Sequence, residues 1–252
     1  MLKRRIIPIQ LLLNGRLVKT RCFDNWRDVG DPVKSSAVYN SQYADELIFL
    51  NIARDRTSVH PLGELIQRVS EECFMPLAVG GGIRSFDDAA YLIQNGADKV
   101  VINSAVYSDR DLISRIADRF GTQAVVVAID AKRNGDCYVA MSASASHAEA
   151  VMLEEHIYSC ETAGAGEFLI QSVDQDGTMN GFDLALLRLG CSAASVPVIG
   201  CGGSGQYNHL KEAFIETDVS GLACGSIFNF SDSNPLRAKA FLSNYGLQFK
   251  VV

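Results

Sequence analysis

Short apolar runs alternate along this chain with longer stretches whose apolar residues recur every three or four positions. The runs are Arg5–Leu13, Glu46–Asn51, Pro76–Gly80, Lys99–Asn103, Ala124–Asp130, Glu167–Ser172, Pro197–Cys201 and Ser220–Cys224. Leucine and β-branched residues fill them without polar alternation, as in VVVAI and LIFL. Continuous apolarity of that kind marks strands covered on both faces of a parallel sheet. Helical periods occupy 32–43, 61–74, 86–95, 110–119, 148–163, 184–193, 206–216 and 234–244. Strand and helix alternate without interruption, which predicts one α/β domain over residues 1–252.

The pattern also repeats. ELIFLNIARDR at 46–56 recurs as EFLIQSVDQDG at 167–177, and Gly81-Gly82 recurs as Gly202-Gly203 at the same offset. Ser104 in INSAVY recurs as Ser226 in CGSIFN. Duplication at half the chain length predicts a (β/α)8 TIM barrel built from two duplicated half-barrels, over the alternative of an open doubly wound sheet. The longest stretch with neither period is Lys19–Asp31, which holds the single tryptophan, Trp26. It reads equally as a mobile lid after the first strand or as an ordinary loop with Trp26 packed outside.

Composition narrows the classes of function. The chain has 252 residues, 48% hydrophobic and 21% charged. No apolar run reaches the roughly 18 residues of a membrane span. The opening MLKRRIIPIQLLLNG is interrupted by Pro8 and Gln10 and lacks a small-residue cleavage site, so a signal peptide is not expected. A net charge of −6 without a basic stripe argues against nucleic acid. Seven cysteines without CxxC spacing fit reduced, mostly buried thiols in a cytoplasmic protein. His60, His147, His156 and His209 show neither HxH nor HExxH spacing, so neither a metal nor a cofactor is expected.

Active sites of such barrels lie at the carboxyl ends of the strands. VGGGIRS (79–85) and GCGGSGQ (200–206) follow the third and seventh strands. Gly81, Gly82, Gly202 and Gly203 would let backbone amides approach an anion, each run opening a helix whose N-terminus favours negative charge. Asn103 and Ser104 follow the fourth strand, Gly225 and Ser226 the eighth. Two half-sites on opposite sides of the mouth suit a ligand with a phosphate at each end, although tight strand-to-helix turns need glycine anyway. Asp176, Gly177 and Thr178 follow the sixth strand and offer further donors, or a turn in which Asp176 accepts local backbone bonds. Asp130 ends the fifth strand, but the matching place in the first copy holds Leu11. One of two matched carboxylates is absent. Asp130 then either faces a substrate or holds its own turn through Lys132 or Asn134, and Asp174 or Asp176 is a candidate partial replacement for the missing acid. Cys201 and Cys224 have no base nearby in sequence and read as small core residues.

The segments RIIP, NGR, VGGGIRS, ADKVVINS, QAVVVAIDAKR, GAGE, DQDGT and SIF resemble, over nearly the whole chain, the cyclase subunit of imidazole glycerol phosphate synthase. The resemblance implies a lyase-cyclase barrel of histidine biosynthesis. Its ammonia would come from a separate glutaminase subunit, a class I amidotransferase, docked at the amino-terminal end of the strands. Its substrate would carry two phosphates. The family's two proton-handling aspartates fall on Asp130 and on position 11, where Leu11 cannot carry a proton. Asn51 replaces a further aspartate, MSASASHAEA (141–150) replaces a glycine-rich segment, and Gln171 stands where a small hydroxyl is usual. The other face matches throughout. Arg5, Glu46, Lys99 and Glu167 correspond to the charged ring that gates ammonia, Asp98 and Gln123 to positions facing the glutaminase, and Lys19 to a lid lysine near a substrate phosphate. An intact floor under an altered mouth resembles a divergent branch of the family, which works with a separate amidotransferase to place acetamidino groups on surface-polysaccharide sugars. The expectation is therefore an ammonia-channelling barrel serving that modification. The alternatives are an authentic histidine-pathway cyclase that tolerates Leu11, a related two-phosphate sugar isomerase, and a non-enzymatic scaffold.

Overall fold

The computed structural model describes residues 3–53 and 58–250. Its strands are β1 (Arg5–Leu13), β2 (Arg16–Arg21), β3 (Asp24–Gly30), β4 (Leu47–Asn51), β5 (Leu77–Gly80), β6 (Lys99–Ile102), β7 (Val125–Asn134), β8 (Cys137–Ser142), β9 (His147–Ala148), β10 (Glu167–Ser172), β11 (Val198–Cys201) and β12 (Gly221–Cys224). The helices are α1 (Pro32–Ser41), α2 (His60–Ser70), α3 (Phe86–Gln94), α4 (Ser104–Ser108), α5 (Asp111–Phe120), α6 (Leu153–Thr162), α7 (Leu184–Ala193), α8 (Tyr207–Glu216), α9 (Ser226–Asn229) and α10 (Pro235–Ser243). Strands β1, β4, β5, β6, β7, β10, β11 and β12 run parallel in that order. The β12–β1 pairing returns the sheet to its start, so it closes into a (β/α)8 barrel. The open-sheet alternative is excluded.

Local chemistry sets the helix starts. Asp31, Asp183 and Asn234 accept backbone N–H bonds at their N-caps, and Ser85 with Asp88 forms a reciprocal capping box. Alternation along the strands builds two cores. Ile7, Ile9 and Leu11 point inward with Ile48, Val101, Val126, Leu169 and Ile199 to fill the barrel, whereas Ile6 and Leu12 pack against the helices. The duplication is visible in three dimensions. Each half begins with a long strand that turns back into an antiparallel hairpin, β1–β2 and β7–β8. Gly81 and Gly82 have φ of 94° and 90°, and Gly202 and Gly203 have 96° and 104°. A Cβ at Gly81 would collide with the carbonyl of Asn51.

Three expectations change. Lys19–Asp31 is not irregular: most of it lies in the β2–β3 hairpin, with Trp26 58% exposed. The helix expected from 148 starts at Leu153, because His147–Ala148 pairs with β8 instead. The short helices α4 and α9 follow directly on Asn103 and Gly225. Between β8 and β9, Ala143, Ser144 and Ala145 are all left-handed, with φ of 50°, 56° and 59°.

Candidate functional site

At the amino-terminal floor the four expected charges meet in one ring. Arg5 donates to Glu46 at 2.9 Å and, more closely, to Glu167. Lys99 donates to both oxygens of Glu46 at 3.0 Å and to Glu167 at 2.8 Å. Signs alternate around the ring, and both carboxylates are buried. Burial raises Glu46, with Lys99 and Arg5 pulling the other way. Burial acts on Glu167 too, but Arg5 and Lys99 outweigh it and hold that carboxyl below its ordinary value. Asp98 and Gln123 are both exposed at this end. Asp98 also accepts the Leu77 N–H at 2.8 Å, which fixes the start of β5. Phe74, 87% exposed, lies in the loop leading into β5 at the same end.

At the opposite end, Leu11 is buried and pairs with Val18 and Leu50. Asp130 accepts from the Asn103 amide at 2.9 Å, while Lys132 and Asn134 continue the strand. Of the two readings of Asp130, the structure does not give the local turn. The residue is half-buried at the mouth. Burial, and then the charge of Asp176, push its carboxyl up to about 7, against the Asn103 bond. Asn103 Oδ1 is buried without a partner. Lys19 reaches back to the Ile9 carbonyl, and burial lowers its ammonium to about 8. Burial also pushes the Cys201 thiol far up and that of Cys224 to about 12, so both stay protonated.

Asp176 has a task that sequence did not reveal. It accepts from the Thr20 hydroxyl at 2.7 Å and from the Phe23 N–H at 3.1 Å, and its own carbonyl accepts from Cys22 N–H at 2.9 Å. The expected local turn bonds are replaced by a clasp on the β2–β3 hairpin. Burial raises its carboxyl, with these bonds opposing. Gln171 Nε2 lies 3.5 Å from the same carboxylate. Asp174 is occupied by the Arg133 N–H at 2.7 Å, Asn51 by the Ala53 N–H at 3.1 Å, and Thr178 turns its hydroxyl to the Gln175 carbonyl at 3.0 Å. No cue in the sequence joined Thr20 and Phe23 to a residue 156 and 153 positions away in the next copy; only the closed barrel does.

The glycine loops differ in state. Gly177, Gly202, Gly203, Gly225 and Ser226 line one small cavity of about 20 Å³ together with Lys19 and Leu11. That is about the space of one water. In the other half, Ser104 Oγ accepts from the Ala143 N–H at 3.0 Å, so the Ala143–Ala145 turn rests on it. His147 is exposed in the β9 strand. Among the described residues no cluster of three or more His, Cys, Asp or Glu has the geometry to hold a metal ion, and no helix is long and apolar enough to cross a membrane.

Residues 5–234 match the family model described as histidine biosynthesis protein. A protein of Dehalococcoides mccartyi named imidazole glycerol phosphate synthase subunit HisF is 41% identical over 251 residues, covering 100% of this chain and 99% of its own. The subunit so named in Hyphomonas neptunium is 40% identical over 252 residues, all of both chains, and that of Prosthecochloris aestuarii 41% over 248 residues, 98% of each. A duplicated barrel with a charged floor and paired glycine loops, matched end to end in this way, belongs to the histidine biosynthesis protein family.

Proposed function

We propose that this chain is the barrel subunit of a glutamine-dependent amidotransferase of the imidazole glycerol phosphate synthase type. It takes ammonia from a separate glutaminase at the floor and meets a phosphate-bearing ligand at the mouth. The observation that carries this reading is the closed alternating ring of Arg5, Glu46, Lys99 and Glu167 beneath an apolar interior. Two buried carboxylates and two half-buried cations held together cost desolvation energy that apolar residues would avoid. Their retention at one end of the axis favours a task there over mere packing. The ring is shut, so passage requires one ion pair to open. Exposed Phe74, Asp98 and Gln123 give the glutaminase a mixed apolar and polar surface.

The names of the relatives favour cyclisation in histidine biosynthesis, and they give no support to the sugar-modifying branch. On the cyclase reading Asp130 does the proton handling. A carboxyl near 7 can give and take a proton at neutral pH. Lys19, Gly177, Gly203 and Ser226 hold one phosphate, and Gly82, Asn103 and Ser104 the other. A second reading stays in view because of one observation: Leu11 fills the place of the partner acid, and neither Asp174 nor Asp176 is free to replace it. On that reading ammonia goes to a separate amidotransferase that makes acetamidino groups on a polysaccharide sugar.

Cyclase turnover driven by ammonium salt separates the two. The first reading expects measurable turnover, lowered about 10²–10⁴-fold from that of a relative with both aspartates, the usual cost of one general acid or base. Turnover absent from the natural chain but gained on Leu11→Asp would shift the reading to the second. Failure to form a complex with any glutaminase would remove both.

A further inference from the structure

Lys19 and Arg27 are register partners across the β2–β3 hairpin. Arg16 and Asp28 on the same hairpin are paired at 2.9 Å, but among the described residues neither Arg21 nor Arg27 enters an ion pair. Lys19, Arg21 and Arg27 instead line an open cavity of about 660 Å³ together with Met179 and Phe230. Lys19 and Gly177 also line the small glycine-loop cavity, so the two spaces share a wall. A volume in the range of about 300–1,000 Å³ holds a whole small molecule, far more than a lone phosphate. Phe230 in its lining is 48% exposed.

We propose that this vestibule is a binding site for the nucleoside diphosphate class of ligand. The terminal phosphate sits at Gly177, Gly203 and Ser226, displacing the Lys19 ammonium from the Ile9 carbonyl. The inner phosphate lies between Lys19 and Arg27 with Arg21 beside it. The base lies against Phe230, since every base offers a flat face for stacking. This rests on the phosphate-binding reading above and adds a second anionic subsite and an aromatic one to it.

Calorimetric titration of the full chain with inorganic phosphate, pyrophosphate, and the diphosphates of uridine and adenosine tests the assignment. The nucleoside diphosphates should bind at least about tenfold more tightly than inorganic phosphate, the scale of one charge-assisted hydrogen bond. Arg27→Gln and Arg21→Gln should each erase most of that advantage and leave phosphate affinity within about twofold. Phe230→Ala should weaken the nucleoside diphosphates and spare pyrophosphate. The arginines are exposed, so these variants should fold, which circular dichroism checks. Phosphate binding without any gain from the second phosphate, or a gain indifferent to Arg21 and Arg27, overturns the vestibule alone. No binding of any anion to the natural chain overturns the glycine-loop reading, and the vestibule with it.

Discussion

Position 11 separates this chain from what its scaffold implies. Leu11 completes the inner apolar cluster with Ile9 and Val18, so alkyl carbon stands where the duplication leads one to expect an acid. Asp130 remains, held by Asn103 in a setting that resists ionisation. Between about pH 4 and 7 the folded protein keeps a proton on this carboxyl that the unfolded chain has lost. Its contribution to stability therefore declines as pH rises through that window and stays unfavourable above it. Asp130→Asn should raise the Tm at pH 8 by about 2–4 °C or more and leave it unchanged near pH 4, where both states are protonated. A Tm gain equal at both pH values would show that Asp130 ionises as an ordinary surface carboxylate. The same variant should lose activity wherever the barrel does chemistry, so stability and turnover should move in opposite directions.

At the level of elements, the eight barrel strands were legible because each is an apolar run buried on both faces. The glycine turns were legible because their doubling at a fixed offset left little room for chance. The hairpin over the mouth was not. β3 reads DNWRDVG and has no buried residue, so it carries no period of two. It exists through pairing with β2 and the grip of Asp176, neither of which is local in sequence. Asp176→Ala removes two hydrogen bonds, both accepted by Oδ2, of roughly 0.5–1.5 kcal/mol each. Trypsin should then cleave at Arg21 and Arg27 about tenfold faster, with the rest of the barrel as resistant as before; unchanged cleavage would mean that the clasp is ornamental. The turn between β8 and β9 was hidden for another reason. Alanine and serine do not announce a left-handed backbone, yet three in a row adopt it. Such residues cost about 1–2 kcal/mol each in that region, a penalty glycine escapes. Ser144→Gly should accordingly raise the Tm, an unusual direction for a glycine substitution, and calorimetry would register its failure as no change or a loss.

Over the whole molecule the two ends of the barrel obey different rules. The floor is a circuit of four charges, each bonded to two neighbours of opposite sign. Lys99→Met leaves Glu46 and Glu167 to share Arg5 alone, a loss on the order of 3 kcal/mol for a broken buried pair, less whatever the 18% exposure of the Lys99 side chain returns. Because burial already raises Glu46, the deficit should shrink as pH falls through the carboxylate range, and a urea series at pH 4 and pH 8 would expose a deficit that does not. With a glutaminase bound, the variant should hydrolyse glutamine without matching product. Beyond this circuit the axis is walled by Ile7, Ile48, Val101, Leu169 and Ile199. Hydrocarbon of that kind refuses ions and tolerates small neutral molecules. On the proposed reading, nitrogen passing along it must have shed its extra proton first, so reaction rates with added ammonium salt should track the free-base fraction as alkalinity increases, and the column would then be a sieve for protonation state as much as for size.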